Sequence, residues 1–291
     1  MEPQPLVSIV TPALNAERFI RQTIESVLTQ DYPNIEYLVM DGGSTDGTVE
    51  IVKRYQDRLR YFSERDGGAA DAINRGFVRS SGAIFAWLSA DDTYLPGAVG
   101  AAVRRFVAEP DAAVVYGQAH WTDENGKVLG EYPRSAACDD SALAKECCIC
   151  QPACFLRRSA FEQAGMLDVK LHSAFDYDLW IRLSRKHRFR PVDEFLATSR
   201  MHRSNKSLGA RGLMFDESIG LLRRHYGYVP VNWIYGYLSF RRDGRDQFFE
   251  PLRRSAWLYL LSLPVGAYYN PAHVLRYGKE WLSRLLRGIR A

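Results

Sequence analysis

No stretch of this chain approaches the ~20 consecutive apolar residues that a membrane-spanning helix needs. The longest apolar run, Ala256–Tyr269, is too short and is interrupted by Pro264 and Gly266. Residues 1–5 are polar and carry no signal-peptide pattern, so a cytoplasmic location is expected. Reduced cysteines are expected with it. Only five cysteines are present, at 138, 147, 148, 150 and 154, and they form no paired C-x₂-C set. That spacing argues against a structural zinc site and favours buried small hydrophobes. No G-x-G-x-x-G follows the first strand-like run, which argues against a dinucleotide-dependent dehydrogenase. Internal repeats and low-complexity tracts are absent too. With 46% hydrophobic and 25% charged residues, the chain is neither disordered nor a coiled coil.

What is present is unevenly distributed. Residues 1–181 hold 17 Lys+Arg against 26 Asp+Glu, a balance of −9, while residues 182–291 hold 21 against 8, a balance of +13. An acidic first part suits carboxylates that hold a cation. A basic second part suits a phosphate-rich partner, such as an anionic membrane or nucleic acid. No recognised nucleic-acid motif accompanies the charge, so nucleic acid is the poorer of the two readings.

Strand-like and helix-like periods alternate through the first half. Strands are expected at 6–11, 35–40, 60–63, 83–88 and 112–116, and helices at 16–29, 45–55, 69–78 and 95–107. Such alternation over short loops implies an α/β fold with a mostly parallel sheet covered on both faces. Ligands of such sheets bind beyond the carboxyl ends of the strands, which singles out Asn15, Asp41, Asp91 and Asp92. Residues 118–131 read as a hairpin around Glu124-Asn125-Gly126, 178–186 as a helix, 194–202 as a strand, and the chain from about 209 as mainly helical.

Three motifs carry chemistry. In Trp87-Leu88-Ser89-Ala90-Asp91-Asp92, an apolar strand ends in two adjacent carboxylates, natural oxygen ligands for Mg²⁺ or Mn²⁺. The alternative is that Asp92 caps the following helix. In Phe175-Asp176-Tyr177-Asp178-Leu179-Trp180, apolar neighbours would raise the pKa of Asp176, as a general base requires; capping by Asp176 or Asp178 is again the competing reading. In Arg200-Met201-His202-Arg203-Ser204-Asn205-Lys206, an imidazole lies among cations able to hold phosphate.

Together with Thr11-Pro12-Ala13-Leu14-Asn15 and Asp41-Gly42-Gly43-Ser44-Thr45-Asp46-Gly47-Thr48, these motifs resemble the family-2 inverting nucleotide-sugar glycosyltransferases of the GT-A fold, over roughly residues 7–207. The resemblance implies a Rossmann-like sheet flanked by helices and a nucleotide site built from Thr11, Pro12, Ala13, Asn15, Asp41, Asp71 and Asp91. Asp41 would accept the imino N–H of uracil or thymine, and Asp91 would approach the ribose. Asp92, with His202, would hold a Mn²⁺ or Mg²⁺ ion on the diphosphate, Arg200 and Lys206 would contact the diphosphate, and Asp176 would be the base. Ser89 stands where some members have the first Asp of D-x-D, and Phe175 where many have Glu.

The implied organisation is a catalytic domain over 1–208, with a nucleotide-sugar half at 1–117 and an acceptor half at 118–208, followed by a helical basic extension at 209–291. The implied reaction is transfer from a nucleotide-diphosphate sugar, with UDP or dTDP favoured, to a hydroxyl of a glycan or lipid-linked acceptor. A sugar nucleotidyltransferase is the second reading, but its Gly-rich, Lys/Arg-bearing loop is absent from residues 11–17. An inactive nucleotide- or glycan-binding module is the third.

Residues 273–290 are amphipathic at ~100° per residue. Val274, Tyr277, Trp281, Leu282, Leu285 and Ile289 share one side, and Arg276, Lys279, Arg284, Arg287 and Arg290 the other. Two readings stand: a helix lying in an anionic membrane surface, at the inner face of the membrane, or a helix packed on the protein with its charges in water.

Overall fold

The structure is a computed structural model that describes residues 4–133 and 138–289, without the side chains of Ser207, Gly288 and Ile289. The chain divides into two compact units, residues 1–202 and 203–291, ahead of the expected 208/209 boundary.

The first unit is built on a nine-stranded sheet. β1 (Val7–Ala13), β2 (Ile35–Asp41), β3 (Arg60–Ser63) and β4 (Ile84–Trp87) pair in parallel in the order β3-β2-β1-β4. The helices α1 (Ile20–Leu28), α2 (Thr48–Lys53) and α3 (Ala69–Val78) connect them. β1 and β4 are buried almost throughout because both of their faces are covered, as parallel strands require. The short β5 (Thr93–Tyr94) and α4 (Ala98–Ala108) follow, then β6 (Ala112–Thr122), β7 (Val128–Glu131), α5 (Asp140–Leu143), β8 (Cys154–Arg157), α6 (Arg158–Gln163), α7 (Phe175–Ser184) and β9 (Arg188–Arg200). β8 enters antiparallel between β4 and β6, β9 runs parallel to β6, and β5 closes the order antiparallel to β9.

Parallel pairing fixes where the strand ends fall. The register sets Ala13 opposite Asp41 and Asp41 opposite Ser63, so the ends of β1, β2 and β3 reach one rim together. Two boundaries differ from the sequence reading. α7 starts at Phe175 instead of 178, and β9 starts at Arg188 instead of 194, because Arg188 and Arg190 find ion-pair partners in Asp111 and Glu109 that hold a polar segment in the sheet.

The expectation that every cysteine is reduced is corrected. Cys138 and Cys148 form a disulfide, with their Cα atoms 5.8 Å apart, while Cys147, Cys150 and Cys154 are thiols.

The second unit is helical: α8 (Lys206–Gly209), α9 (Arg211–Tyr226), α10 (Val231–Asp243), α11 (Ala256–Tyr269) and α12 (Val274–Ile289). α11 starts at Ser255, whose hydroxyl accepts the Leu258 N–H, a standard cap. α12 packs on it through Tyr277, whose hydroxyl donates to the Ser262 carbonyl at 2.9 Å, and through Trp281, whose Nε1 donates to the Tyr259 carbonyl at 3.0 Å. Gly266 makes this possible: a Cβ there would lie 1.9 Å from the Tyr277 ring. α12 keeps its amphipathic split, with Tyr277 and Trp281 buried and Arg276, Lys279 and Arg287 exposed. Arg276 lies over the Tyr228 ring at 3.9 Å and Arg284 pairs with Glu280, while Leu282 faces outward. Arg290 and the Ile289 side chain lie outside the described residues.

Candidate active site

The rim of the first unit begins with Asp41. Its carboxylate accepts the Gly43 N–H at 3.2 Å, the Ser44 N–H at 3.2 Å, the Ser44 hydroxyl and, at 2.6 Å, the Ser63 hydroxyl. Asp41 is almost wholly buried, and these donors fill most of what a carboxylate can accept. It therefore fixes the turn after β2. Asn15 completes that turn from β1: its Oδ1 accepts the Thr45 N–H at 2.9 Å, and its N–H donates to Ser44 Oγ at 2.8 Å. Asn15 has φ of 50°, a left-handed conformation that Asn tolerates well. Thr11 points inward, with Oγ1 2.9 Å from the Tyr37 hydroxyl, which leaves Pro12 half-buried and Ala13 buried on the line of β1.

Next to this turn lies the glycine pair before α3. Asp71 accepts the Gly67 N–H at 2.8 Å and pairs with Arg75 at 2.8 Å, and Asp66 accepts the Gly68 N–H at 2.8 Å. Gly68 has φ of 111°, available at little cost only to glycine. Asp71 shapes this loop and is itself only partly exposed.

The two carboxylates after β4 point in different directions. Asp91 is partly exposed, and its Oδ2 lies 3.0 Å from His202 Nε2. Asp92 is turned inward: it is 7% exposed, and its Oδ1 accepts the Arg200 N–H at 2.8 Å. Burial, reinforced by the Asp91 charge, pushes the Asp92 carboxyl well above the usual carboxylate range, and the Arg200 N–H and guanidinium only partly offset this. Neither aspartate caps α4, which starts at Ala98 behind Gly97. Asp92 is thus buried against Arg200, and Asp91 is the carboxylate that meets the imidazole.

Arg200 is engaged on several sides. Its guanidinium donates to the Asp91 carbonyl, the Glu124 carbonyl and Gln22 Oε1, and it stacks over Phe19 at 4.8 Å. Only 3% exposed, it braces the site and has no open side for a diphosphate. Lys206 opens α8, in the second unit.

A divalent cation fits the donor set at Asp91 and His202. The carboxylate is a natural ligand for Mn²⁺ and Mg²⁺, which commonly take one or two protein carboxylates and complete their shell with substrate phosphates, and the imidazole is a nitrogen ligand more typical of softer transition metals.

Asp176 lies in the first turn of α7, whose N-cap is Ala174, so neither Asp176 nor Asp178 serves as a cap. Oδ1 of Asp176 accepts the Tyr177 N–H at 2.7 Å. Asp178 is structural: it is 3% exposed and pairs with Arg182 at 2.7 Å, and Arg182 also binds the Ala164 and Met166 carbonyls. Cys150, ahead of β8, is buried. Burial pushes its thiol far up, and the charges of Asp92 and Asp176 add to the shift.

Sequence reasoning missed several supporting groups. Thr23 Oγ1 lies 2.9 Å from the Ala90 carbonyl and 2.8 Å from the Asp92 carbonyl, holding the turn after β4. Phe19 packs against His202 with ring centroids 4.9 Å apart. Thr23 had a visible signal, since a hydroxyl sits within the buried stripe Ile20, Thr23, Ile24, Val27 of α1. Phe19 had none beyond its apolar character.

A parallel nucleotide-type sheet that gathers carboxylates and an imidazole at one rim and then accepts antiparallel strands is the GT-A arrangement of nucleotide-sugar glycosyltransferases. The comparisons agree. Residues 8–165 match the family described as Glycosyl transferase family 2, and the chain belongs to that family.

An uncharacterized glycosyltransferase of Rickettsia bellii is 34% identical over 195 residues, 62% of this chain and 28% of that protein. The hyaluronan synthase of Pasteurella multocida is 26% identical over 212 residues, 72% of this chain and 22% of that protein. The chain thus spans about a quarter of the length of these two relatives. Among solved structures, S. aureus TarS 1–349 in complex with UDP-GlcNAc aligns with a TM-score of 0.61 at 15% identity, covering 92% of this chain and 82% of that one. The mannosyltransferase PcManGT from Pyrobaculum calidifontis, in complex with GDP-Man and Mn²⁺, aligns at 0.57 and 18% identity, covering 99% and 80%. These structures share the fold.

Proposed function

We propose that the chain is an inverting, cation-dependent glycosyltransferase that moves a sugar from a nucleoside-diphosphate donor, UDP- or dTDP-linked, to a hydroxyl of a glycan or lipid-linked acceptor in polysaccharide or glycoconjugate synthesis. The observation that carries this reading is the meeting of Asp91 and His202 at the strand rim. The turn held by Asp41, Asn15 and Ser44 forms the floor for the nucleobase, beside Pro12 and Ala13. Asp41 is nearly saturated, so it orders that floor and has little capacity left for the base itself. Asp91 and His202 would hold the divalent cation, which would supply a Lewis acid to offset charge on the leaving diphosphate. Arg200 and Thr23 keep the Asp91 turn in place.

Asp176 takes the proton of the acceptor hydroxyl as its oxygen attacks the anomeric carbon. A single displacement of this kind inverts the anomeric configuration. The mannosyltransferase neighbour was solved with Mn²⁺ and the TarS neighbour with UDP-GlcNAc, which supports testing these two chemistries first. The test is a panel of UDP-, dTDP- and GDP-sugars, assayed for binding with and without Mn²⁺ and for release of nucleoside diphosphate. Cation-dependent binding of at least one uridine or thymidine donor, with turnover, is the expected result. Binding that is equal with and without cation, and no turnover, would remove the proposal.

A further inference from the structure

The second unit carries a surface that the transfer reaction does not use. Trp257, Leu260 and Leu263 on α11 and Leu275, Leu282 and Leu286 on α12 are all exposed, with Trp257 71% and Leu275 84% accessible. At ~100° per residue the three α11 side chains fall within one arc of that helix, opposite the buried Leu258, Ser262 and Gly266. The three on α12 fall within another, away from the buried Tyr277 and Trp281. The two arcs meet: Leu263, Leu275 and Leu282 line one groove of about 600 Å³ between the helices, and Lys279 lines it with them. Exposed apolar surface gathered on adjoining helices marks an interaction site.

We infer that this outer face of the α11–α12 hairpin docks on an anionic lipid surface. Charge chooses the occupant. Arg253 and Arg254 stand just ahead of α11, Lys279 is in the groove, and Arg287 is one residue beyond Leu286; all four are exposed. Residues 203–291 hold 15 Lys+Arg against 6 Asp+Glu, a balance of +9. A second copy of the same face would bring these cations against one another, whereas lipid phosphates neutralise them. An exposed tryptophan and long basic side chains beside leucines match the boundary between headgroups and acyl chains, where an amphipathic element inserts only part-way. Among the described residues no helix is long and apolar enough to cross a membrane, so the contact is to a surface. The docking side of α12 is not the one that its periodicity suggests, since Tyr277 and Trp281 are spent on α11.

The experiment uses the full chain and vesicles of phosphatidylcholine with and without phosphatidylglycerol. The wild-type protein should co-sediment with the anionic vesicles and be released by high salt. The double substitution Leu275→Ser with Leu282→Ser should weaken partitioning about tenfold or more. Lys279→Glu should weaken binding to anionic vesicles alone. These side chains are exposed, so melting temperature and nucleotide binding should stay unchanged in every variant. Failure of the wild type to sediment with anionic vesicles would overturn the inference, as would unchanged partitioning of the leucine variant. A concentration-dependent dimer in sedimentation equilibrium that the leucine variant abolishes would also overturn it, assigning the face to a second copy. Nucleotide binding is measured separately, so its absence would count against the proposed transferase reaction and not against the lipid surface.

Discussion

His202 Nε2 lies 3.0 Å from Asp91 Oδ2, although 111 residues separate the two in the chain. The contact exists because β9 pairs with both β5 and β6, which carries the end of β9 back to the turn after β4. Arg200 locks the arrangement. Its N–H holds Asp92 and its guanidinium holds the Asp91 carbonyl, while Phe19 packs against both Arg200 and His202. Neighbouring carboxylates thus acquire different tasks from their surroundings. Asp91 faces the His202 imidazole at the rim, and Asp92 is a buried brace.

That division yields a paired prediction. Asp91→Ala should abolish Mn²⁺-dependent nucleotide binding and leave the melting temperature close to wild type, because Asp91 is partly exposed and its backbone carbonyl still receives Arg200. Asp92→Ala should instead lower stability by about 1–3 kcal/mol, since the buried Arg200 N–H loses its acceptor. Calorimetric Mn²⁺ and UDP titrations beside urea melts separate the two. Equal loss of cation affinity without destabilisation in Asp92→Ala would return the metal role to Asp92.

The order of α and β elements through α4 was legible because β1, β2 and β4 are short segments rich in β-branched and aromatic residues and α1 has a clean 3.6-residue stripe. The strand-end rule then picked out Asn15, Asp41, Asp91 and Asp92. What those residues do was less legible. Two adjacent aspartates look alike in a sequence, and only the path of β9 decides which one is buried. The same holds for Arg200, whose acceptors come from α1, the turn after β4 and the β6–β7 turn. For α12, periodicity found an amphipathic helix but not which side faces the protein, because that depends on the space left by Gly266 on another helix.

Gly266 accordingly offers a second prediction. Gly266→Ala sets a methyl group into the Tyr277 ring, so α12 must shift on α11 or the ring must leave its pocket. Overpacking of this kind typically costs about 1–3 kcal/mol. Urea unfolding followed by near-ultraviolet circular dichroism should show the loss together with an altered aromatic signal. An unchanged midpoint and spectrum would mean that the two helices do not pack as described.

Acid sensitivity should trace in part to Glu36. Burial raises its pKa, but donation from Ser8 Oγ at 2.6 Å and the Ser81 N–H at 2.8 Å, together with the Arg60 charge, outweighs burial and leaves it below the ordinary 4.5. A carboxylate depressed on folding stabilises the native state above its unfolded pKa, and that contribution fades as pH falls through the folded value. Glu36→Gln should therefore be less stable than wild type near neutrality, and the gap should narrow below about pH 4.5. Urea midpoints measured from pH 3 to 7 check this. Parallel curves across that range would rule out the linkage.

The sharpest prediction concerns Asp176. Asp176→Asn keeps the shape of the side chain and its acceptance of the Tyr177 N–H, yet it cannot take a proton from the acceptor hydroxyl. Nucleotide and cation affinity should persist, because Asp41, Asp91 and His202 are untouched. The fold should persist as well, because the buried anchor of α7 is the Asp178–Arg182 pair and not Asp176. Transfer should fall by roughly 10²–10⁴, the usual contribution of a general base. Loss of a cation ligand would differ, since donor affinity would drop with rate. Single-turnover transfer at saturating donor, beside an independent binding measurement, distinguishes these cases. A near-wild-type rate in Asp176→Asn would exclude it as the base. Asp178 would not replace it without a rearrangement of α7, because its carboxylate is buried against Arg182.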